Sequence, residues 1–383
     1  MFFLWLGASI SISEIFTGGL VAPLGLTRGT LAIVLGHLIG CALLAFGGHL
    51  SYVRKENAMS CVVWSFGRGG GALIALCNVI QLIGWTIVMI VQASSALVGV
   101  TSLPFSPVTF CLAVLVCVWA LIFGSPVQKL NDIAVILLSV LCVVLFSEAL
   151  GVVGNPVAAL SEGMSMTLAV ELSIAMPVSW LPLIGDYTST AEDETCAFGV
   201  PFAAYFAGST LMYLFGLYVS VKSGSDIFAF IAASRFTVPA CGVVLLSTLT
   251  TAFLDLYSAA VSSQSVAGVK NSKLAILVIG VFSGLISVFF PVERYSDFLM
   301  GFLTVIGMVF VPVYAVSFLD FLKGRPACEK PFQPVNLALA ALGMVACWLF
   351  GRYETWIPTL LTMALIWALY EITGRIWPHK KAA

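Results

Sequence analysis

The sequence predicts an all-α integral membrane protein with about twelve transmembrane helices. Of its 383 residues, 60% are hydrophobic and only 9% are charged, whereas a soluble domain carries about 25% charged residues. No soluble fold could bury this much apolar surface, so lipid must act as the solvent. The apolar runs are long and continuous, which favours helices over the short alternating strands of a membrane barrel.

The apolar runs are assigned in chain order by the length that a bilayer demands, which is about 20 mostly apolar residues per helix. The stretches between them are too short to fold as soluble domains. The predicted segments are residues 3–24, 29–52, 70–99, 106–124, 131–153, 166–187, 198–221, 238–262, 274–291, 297–319, 334–351 and 355–374. We therefore expect a multi-pass protein of the inner (plasma) membrane, with the lipid bilayer as a partner.

The basic residues predict the orientation of the chain. With the N-terminus in the cytoplasm, about 12 of the 17 lysines and arginines fall in inner loops and about 5 in outer loops. An odd number of spans or the reverse orientation would remove this asymmetry. Both termini are therefore expected in the cytoplasm.

Several classes of function are disfavoured by composition. The net charge of −1 gives no indication of a nucleic-acid partner. Most of the ten cysteines lie in apolar runs as small core residues, and no cluster of Cys and His predicts a metal or other cofactor. An intramembrane enzyme is not expected, because the sequence has no HExxH motif and no nucleophile–base pair.

Two predicted segments, the first and the sixth, combine helix-breaking residues with hydroxyl groups and a carboxylate. These residues are Ser11, Ser13 and Glu14 in the first, and Glu171, Pro177, Ser179 and Pro182 in the sixth. Interrupted helices at corresponding positions of two halves indicate the binding site of a transporter built from inverted repeats. The alternative is that Ser, Gly and Pro are simply common where membrane helices pack.

Four acidic residues fall inside apolar runs: Glu14, Glu148, Glu171 and Asp255. An acid at the centre of a membrane costs about 2.5–3.5 kcal/mol on insertion scales, and such residues usually mark a substrate or ion path. Glu14 and Glu171 rank highest because they lie in the interrupted segments. Glu148 lies near a helix end, and we expect it to reach the interface.

Polar and aromatic side chains in three other segments suggest further contacts. In the third, Gln81 and Trp85 share one helix face and would suit a planar, polar heterocycle. In the eighth, the hydroxyls of Thr250 and Thr251 could bind sodium or cap carbonyls of their own helix. His37 in the second segment is expected to form a hydrogen bond between packed helices.

With these residues in view, the chain resembles the first nucleobase–cation symporter family over nearly its whole length. It looks most like the CytX-type permeases, importers of the thiamine precursor hydroxymethylpyrimidine, and is more distantly similar to cytosine permeases. The matching motifs are Thr17-Gly18-Gly19, Gly84-Trp85, Asp186-Tyr187, Thr250-Thr251 and Leu256-Tyr257. The resemblance implies twelve helices, with LeuT-like inverted repeats at 1–153 and 166–319 and two extra helices at 334–374.

The same resemblance implies roles for individual residues. Trp85 would stack on the substrate, Ser179 would contact it in the break of the sixth helix, and Trp180 would form a second aromatic wall. The resemblance assigns the coupling sodium ion to the hydroxyls of two residues and to the backbone carbonyls of two others. These are Thr250 and Thr251, and Gly7 and Ile10.

The chain also departs from the pattern of the cytosine permeases. Ala252 stands where they have an asparagine, Asp255 follows it, and Glu14 replaces an uncharged residue. A carboxylate can accept hydrogen bonds from both the amino group and a protonated ring nitrogen of an aminopyrimidine. These departures argue against cytosine itself as the substrate, and hydroxymethylpyrimidine, which has the amino group, fits the carboxylates.

These observations predict sodium-coupled import of a pyrimidine by alternating access. The substrate-binding residues would be Ser11, Ser13, Glu14, Gln81, Trp85, Glu171, Ser179, Trp180 and Asp255. One alternative is a proton-coupled cytosine or purine permease, with Glu14, Glu171 or Asp255 as the proton carrier. Another is an amino-acid transporter of the same fold.

Overall fold

The computed structural model has only helices as regular elements in the residues that it describes. These are residues 1–122, 125–151, 163–267 and 271–376, without the side chains of 125–131, 237, 265–267 and 375–376. The predicted segment ends at 124 and 153, and the end of the predicted first repeat, lie outside the described residues.

Fifteen α-helices follow one another along the described chain. They are α1 (Phe2–Ser9), α2 (Ile12–Leu20), α3 (Gly25–Arg54), α4 (Ala58–Thr101), α5 (Phe105–Ile122), α6 (Ser125–Leu150), α7 (Met166–Val178), α8 (Leu181–Thr188), α9 (Val200–Ser223), α10 (Ile227–Ala233), α11 (Thr237–Ala267), α12 (Ser272–Val288), α13 (Tyr295–Leu322), α14 (Pro334–Arg352) and α15 (Pro358–Ile376).

The helices confirm the predicted all-α membrane fold. By length and composition, nine helices of the described chain can cross a membrane, or ten when the bent pair α1 and α2 counts as one span. Two further predicted segments correspond to α12, which has 17 residues, and to α15. The number of twelve spans therefore stays a prediction, as do the boundaries of the two repeats.

The spans pack as two groups. In the first, here called the bundle, α1, α2 and α3 pack against α7, α8 and α9. In the second, here called the scaffold, α4, α5 and α6 pack against α11 and α12. Helix α13 contacts both α4 and α7, and α14 and α15 pack against α13.

Two glycines one turn apart let α3 approach α7 closely. A Cβ atom at Gly36 would lie 2.6 Å from the carbonyl oxygen of Val170, and one at Gly40 would lie 2.8 Å from that of Ile174. Real Cβ atoms do not come this near to backbone atoms, so only glycine permits the crossing. Small residues commonly allow such close helix packing in membranes.

Both predicted interruptions are present. Helix α1 ends at Ser9, and α2 starts after Ser11 at an angle of 47° to α1. Helix α7 continues through Pro177 to Val178, and α8 begins at Leu181 with Pro182 in its first turn. Because a helix end leaves backbone carbonyls without intrahelical partners, each interruption exposes acceptors inside the membrane.

The third span is longer than the predicted range 70–99. Helix α4 begins at Ala58, where the side chain of Asn57 accepts a hydrogen bond from the Ser60 amide (2.8 Å). It kinks at Gly67, whose φ of 77° suits glycine and few other residues. The nine residues before this kink are too few to span a bilayer. The length criterion of about 20 apolar residues therefore did not include them in the predicted segment.

Candidate functional site

One face of α4 carries a line of polar and large side chains toward the bundle. Its members are Asn78, Gln81, Trp85, Met89 and Gln92, spaced three or four residues apart, so they lie on one side of the helix. All five are buried. This α4 face meets the interruption of α7 and α8 at one end and that of α1 and α2 at the other.

The end of the α4 face that carries Asn78 and Gln81 satisfies the carbonyls freed by the second interruption. Gln81 Nε2 donates to the carbonyl of Ser179 (2.9 Å) and to Asn78 Oδ1 (3.1 Å). Asn78 Nδ2 donates to the carbonyl of Pro182 (3.2 Å) and to Ser262 Oγ (2.8 Å). Gln81 Oε1 is buried and has no partner among the residues that the structure describes, so one acceptor at the break is free for a ligand.

Trp85 lies one turn further along this face and is 5% exposed. Its ring makes an edge-on contact with Phe302 of α13, with centroids 5.3 Å apart and planes at 71°. Gly84 makes room for Phe302, because a Cβ atom there would lie 2.6 Å from Phe302 Cε2. The tryptophan is therefore held between the scaffold and α13.

Trp180 lies in the interruption of the sixth span and packs among aromatic rings of the bundle. Its ring centroid is 6.0 Å from that of Trp5 and 6.2 Å from that of Tyr205, both in edge-on geometry. The hydroxyl of neighbouring Ser179 donates to the carbonyl of Met176 (2.6 Å). Ser179 thus meets Gln81 through its backbone.

The serines of the first interruption have separate tasks. Ser11 Oγ accepts a hydrogen bond from the Glu14 amide (3.3 Å) and caps α2. Ser13 Oγ donates to Gln92 Oε1 (2.5 Å) and lies 3.6 Å from Met89 Sδ. Ser13 therefore joins α2 to the end of the α4 face that carries Met89 and Gln92, whereas Ser11 shapes the break itself.

The structure does not bring the two highest-ranked acids together. Glu14 points into the bundle, where it accepts hydrogen bonds from Tyr205 and Ser209 of α9. Glu171 accepts hydrogen bonds from the backbone amide and hydroxyl of Thr359 (2.9 and 2.8 Å). It therefore caps the start of α15, beside a cavity of about 400 Å³ between α7, α13 and α14.

The residues predicted to bind sodium occupy helices that touch. Helix α1, which contains Gly7 and ends before Ile10, contacts α11, which contains the two threonines. The Thr250 hydroxyl donates to the carbonyl of Leu246 (2.7 Å). Among the described residues, Thr251 Oγ1 is buried and has no hydrogen-bond partner, so this hydroxyl is free to bind an ion.

Asp255 lies one turn beyond Thr251 and is 2% exposed. Among the described residues, its Oδ2 atom has no hydrogen-bond partner, and it lies on α11 in the scaffold. No group of three or more His, Cys, Asp or Glu side chains suited to a metal ion occurs in the described part of the chain.

Sequence reasoning missed Asn78, Gln92 and Phe302. The first two lie three residues before Gln81 and seven after Trp85, so helical spacing alone could have identified them. Phe302 belongs to a span distant in sequence, and nothing in its local pattern distinguishes it. His37 forms the predicted hydrogen bond between helices, with Ser209 as its partner (2.6 Å).

Comparison with known proteins identifies related permeases and transporters. A family model for permeases of cytosine/purines, uracil, thiamine and allantoin matches residues 1–332. Cytosine permease of Escherichia coli (strain K12) is 24% identical over 368 residues, which cover 94% of this chain and 86% of that protein.

Two solved transporters share the fold. Mhp1, a nucleobase–cation-symport-1 family transporter in a closed conformation with bromovinylhydantoin bound, superposes with a TM-score of 0.74 at 14% identity, covering 100% of this chain and 93% of that chain. A Na⁺-coupled sialic acid symporter in a substrate-bound outward-open state superposes with a TM-score of 0.65 at 12% identity, covering 98% and 92%.

Proposed function

Because the chain belongs to the family of permeases for cytosine/purines, uracil, thiamine and allantoin, we propose that it imports a pyrimidine by sodium-coupled alternating access. The substrate would be hydroxymethylpyrimidine or a similar thiamine precursor. The observation that carries this proposal is the hydrogen bond from Gln81 to the carbonyl of Ser179, which joins the scaffold to the interruption of the sixth span beside Trp85.

The free polar atoms around this junction favour an aminopyrimidine. Both donors of the Gln81 amide are used by protein acceptors, so its free Oε1 atom requires a donor from the ligand. An exocyclic amino group is such a donor. Trp85 offers an aromatic ring beside it, and stacking on a tryptophan suits a flat heterocycle.

The residues predicted to contact the substrate fall into two groups, those at the proposed site and those elsewhere in the fold. Gln81, Trp85, Ser179 and Trp180 form the proposed substrate site between the bundle and the scaffold, with Ser13 at its outer side. Ser11 acts indirectly by capping α2. Glu171 caps α15, and Asp255 is buried on α11 in the scaffold, so we propose no direct substrate contact for either.

Sodium coupling rests on the crossing of α1 and α11. The unpartnered Thr251 hydroxyl supplies one oxygen ligand, and Thr250, Gly7 and Ile10 would complete the set. An ion held there would join the bundle to the scaffold. It can drive transport only if it binds one conformation more tightly than the other, since a ligand of equal affinity shifts no equilibrium.

The proposal is tested by the thermal unfolding of the purified protein in detergent, with sodium or potassium and a panel of pyrimidines. A ligand at 100 times its dissociation constant stabilises the folded state by roughly 2.7 kcal/mol. We expect stabilisation by hydroxymethylpyrimidine in sodium and little in potassium. The double variant Thr250→Ala and Thr251→Ala should lose the difference between the two salts.

Other outcomes would identify the alternatives. Stabilisation by cytosine or a purine that is equal in both salts, with uptake driven by a pH gradient, would favour a proton-coupled permease. Stabilisation by amino acids alone would remove the pyrimidine proposal and leave the fold untouched. Import is proposed with both termini in the cytoplasm, which protease protection of a terminal tag in sealed vesicles would test.

A further inference from the structure

A buried chain of hydrogen bonds runs from α2 into the bundle, away from the α4 face. Glu14, Ser209 and His37 are each at most 1% exposed. Glu14 Oε1 accepts a hydrogen bond from the Tyr205 hydroxyl (2.7 Å), and Oε2 lies 2.6 Å from Ser209 Oγ. His37 Nε2 lies 2.6 Å from the same Oγ, and Nδ1 lies 2.9 Å from the carbonyl oxygen of Ile33.

The partners determine how many protons this chain holds. A carbonyl oxygen only accepts, so Nδ1 of His37 must carry a hydrogen. The Ser209 hydroxyl has one hydrogen, which it donates either to Glu14 or to His37. If it donates to Glu14, Nε2 must carry a second hydrogen and the imidazole is cationic. If it donates to Nε2, the carboxyl group must be protonated.

In both arrangements Glu14 and His37 together hold one exchangeable proton. Without this proton, the Ser209 oxygen would face either Glu14 Oε2 or His37 Nε2 at 2.6 Å with no hydrogen between the two atoms. One buried acceptor would then lose its hydrogen bond. None of the ion pairs among the described residues involves Glu14. The proton is therefore the positive charge that balances the buried carboxylate.

We propose that Glu14, Ser209 and His37 form a proton-binding site that holds one proton shared between the carboxylate and the imidazole. Its two ends titrate as one coupled unit, because the serine can donate to only one of them at a time. The other titratable groups that face Glu14 are Tyr205 and two neutral side chains. Those two are Cys41 of α3 and Tyr213 of α9.

The site connects three spans of the bundle. Glu14 belongs to α2, the second half of the first interrupted span, His37 to α3 and Ser209 to α9. From α4, this part of α2 meets Met89 and Gln92 through Ser13, and neither of them titrates. Loss of the proton breaks one of the two hydrogen bonds of Ser209, either the one that joins α9 to α2 or the one that joins α9 to α3. Proton occupancy therefore sets how firmly these three spans are held together.

The test is infrared difference spectroscopy of the purified protein across a pH titration. The wild type should lose the carbonyl stretch of a protonated carboxyl group and the signal of a titrating imidazole at one common midpoint. Glu14→Gln should lose both changes, because its amide donates to Ser209, which then donates to a neutral His37. Glu148→Gln is the control and should retain both, since Glu148 lies at the end of α6 beside Arg235.

A second variant tests the sharing itself. In His37→Leu, Ser209 is free to donate to an ionised Glu14, so the carboxyl midpoint should move to lower pH. Ser209→Ala serves the same purpose if that variant fails to fold, and its carboxyl and imidazole signals should titrate separately. A carboxyl signal that Glu14→Gln does not remove, or a midpoint that neither His37→Leu nor Ser209→Ala changes, would overturn the proposal. No substrate or sodium enters the measurement, so its failure would leave the proposed transport untouched.

Discussion

At the scale of single residues, buried amides and carboxylates are used mainly to complete helix ends. Gln81 pairs with a carbonyl that the end of α7 leaves free, and Glu171 pairs with an amide at the start of α15. A buried polar group without a partner costs about 1–3 kcal/mol. Each of these side chains therefore stabilises the fold, and only those of its polar atoms that form no hydrogen bond within the protein are available to a ligand.

Replacement of Gln81 by leucine should weaken both the fold and the ligand response. The carbonyl of Ser179 would lose its partner, at a cost of about 1–3 kcal/mol, and the free acceptor would disappear. Thermal unfolding with and without the pyrimidine should show a lower midpoint and no ligand-induced increase. Gln264→Leu, at an exposed position of α11, is the control. A normal ligand shift in Gln81→Leu would place the substrate elsewhere.

The sequence indicated which residues lie in unusual environments more readily than it indicated which residues they contact. An acid inside an apolar run predicts a special environment, and Glu14, Glu171 and Asp255 are all largely buried. Which groups they meet depends on contacts between distant residues, such as Glu171 with Thr359, 188 positions apart. No local pattern encodes such a pair, so the expectation that Glu14 and Glu171 face one substrate could not be checked before the fold was known.

At the scale of helices, Glu171 acts as a cap supplied by one span to another. Glu171→Ala should destabilise the start of α15 by about 1 kcal/mol, the usual cost of a lost N-terminal cap. Hydrogen exchange should become faster at the first amides of α15, while the ligand-induced increase in the unfolding midpoint persists. Thr359→Val keeps the backbone amide and should show a smaller effect. Loss of the ligand response with unchanged exchange would instead indicate a role for Glu171 in the substrate site.

The crossing of α3 and α7 should tolerate no side chain at Gly36. In Gly36→Ala, the new Cβ atom would lie 2.6 Å from the Val170 carbonyl, so the helices must separate and much of the folded protein should be lost. Gly307→Ala in α13 is the matched control, because no atom lies within 4 Å of its Cβ position. Size-exclusion profiles and unfolding midpoints should separate the two variants. Equal stability of the two variants would show that α3 and α7 can separate at this crossing with little cost in free energy.

The helices themselves were predicted well where composition decides them. Long apolar runs determine spans, and Ser, Gly and Pro determine where the first and sixth spans break. The exact break at Ser179 rather than at Pro177 was not predictable, because a proline can lie inside a membrane helix when neighbours satisfy the freed carbonyl. The extension of α4 to Ala58 depends on a kink at Gly67 against the backbone of Lys330 and Pro331.

At the scale of the whole molecule, three aromatic rings, here called the aromatic cover, pack beside the first interruption. Phe16 of α2 stacks on Phe228 of α10 with centroids 5.2 Å apart, and Tyr295 of α13 lies 5.2 Å from Phe16 and 6.0 Å from Phe228. Beneath it, Ser13 joins α2 to α4. Bundle and scaffold are therefore in contact beside these rings, and we expect an opening on this side to separate the rings.

Removal of one ring should favour a conformation that is open on this side of the first interruption. A cysteine placed at Ser13 should react faster with a membrane-impermeant thiol reagent in the Phe228→Ala background than in the wild-type background. The reason is that the closed state loses a stacking contact worth about 0.5–1.5 kcal/mol beyond its buried area. That energy corresponds to a several-fold change in the open fraction. Site-resolved mass spectrometry distinguishes this cysteine from the ten native ones.

The control is Phe230→Ala, on the same helix but packed against Phe215, which should leave the labelling rate unchanged. If both variants accelerate labelling equally, α10 as a whole, and not the cover, controls access to the site.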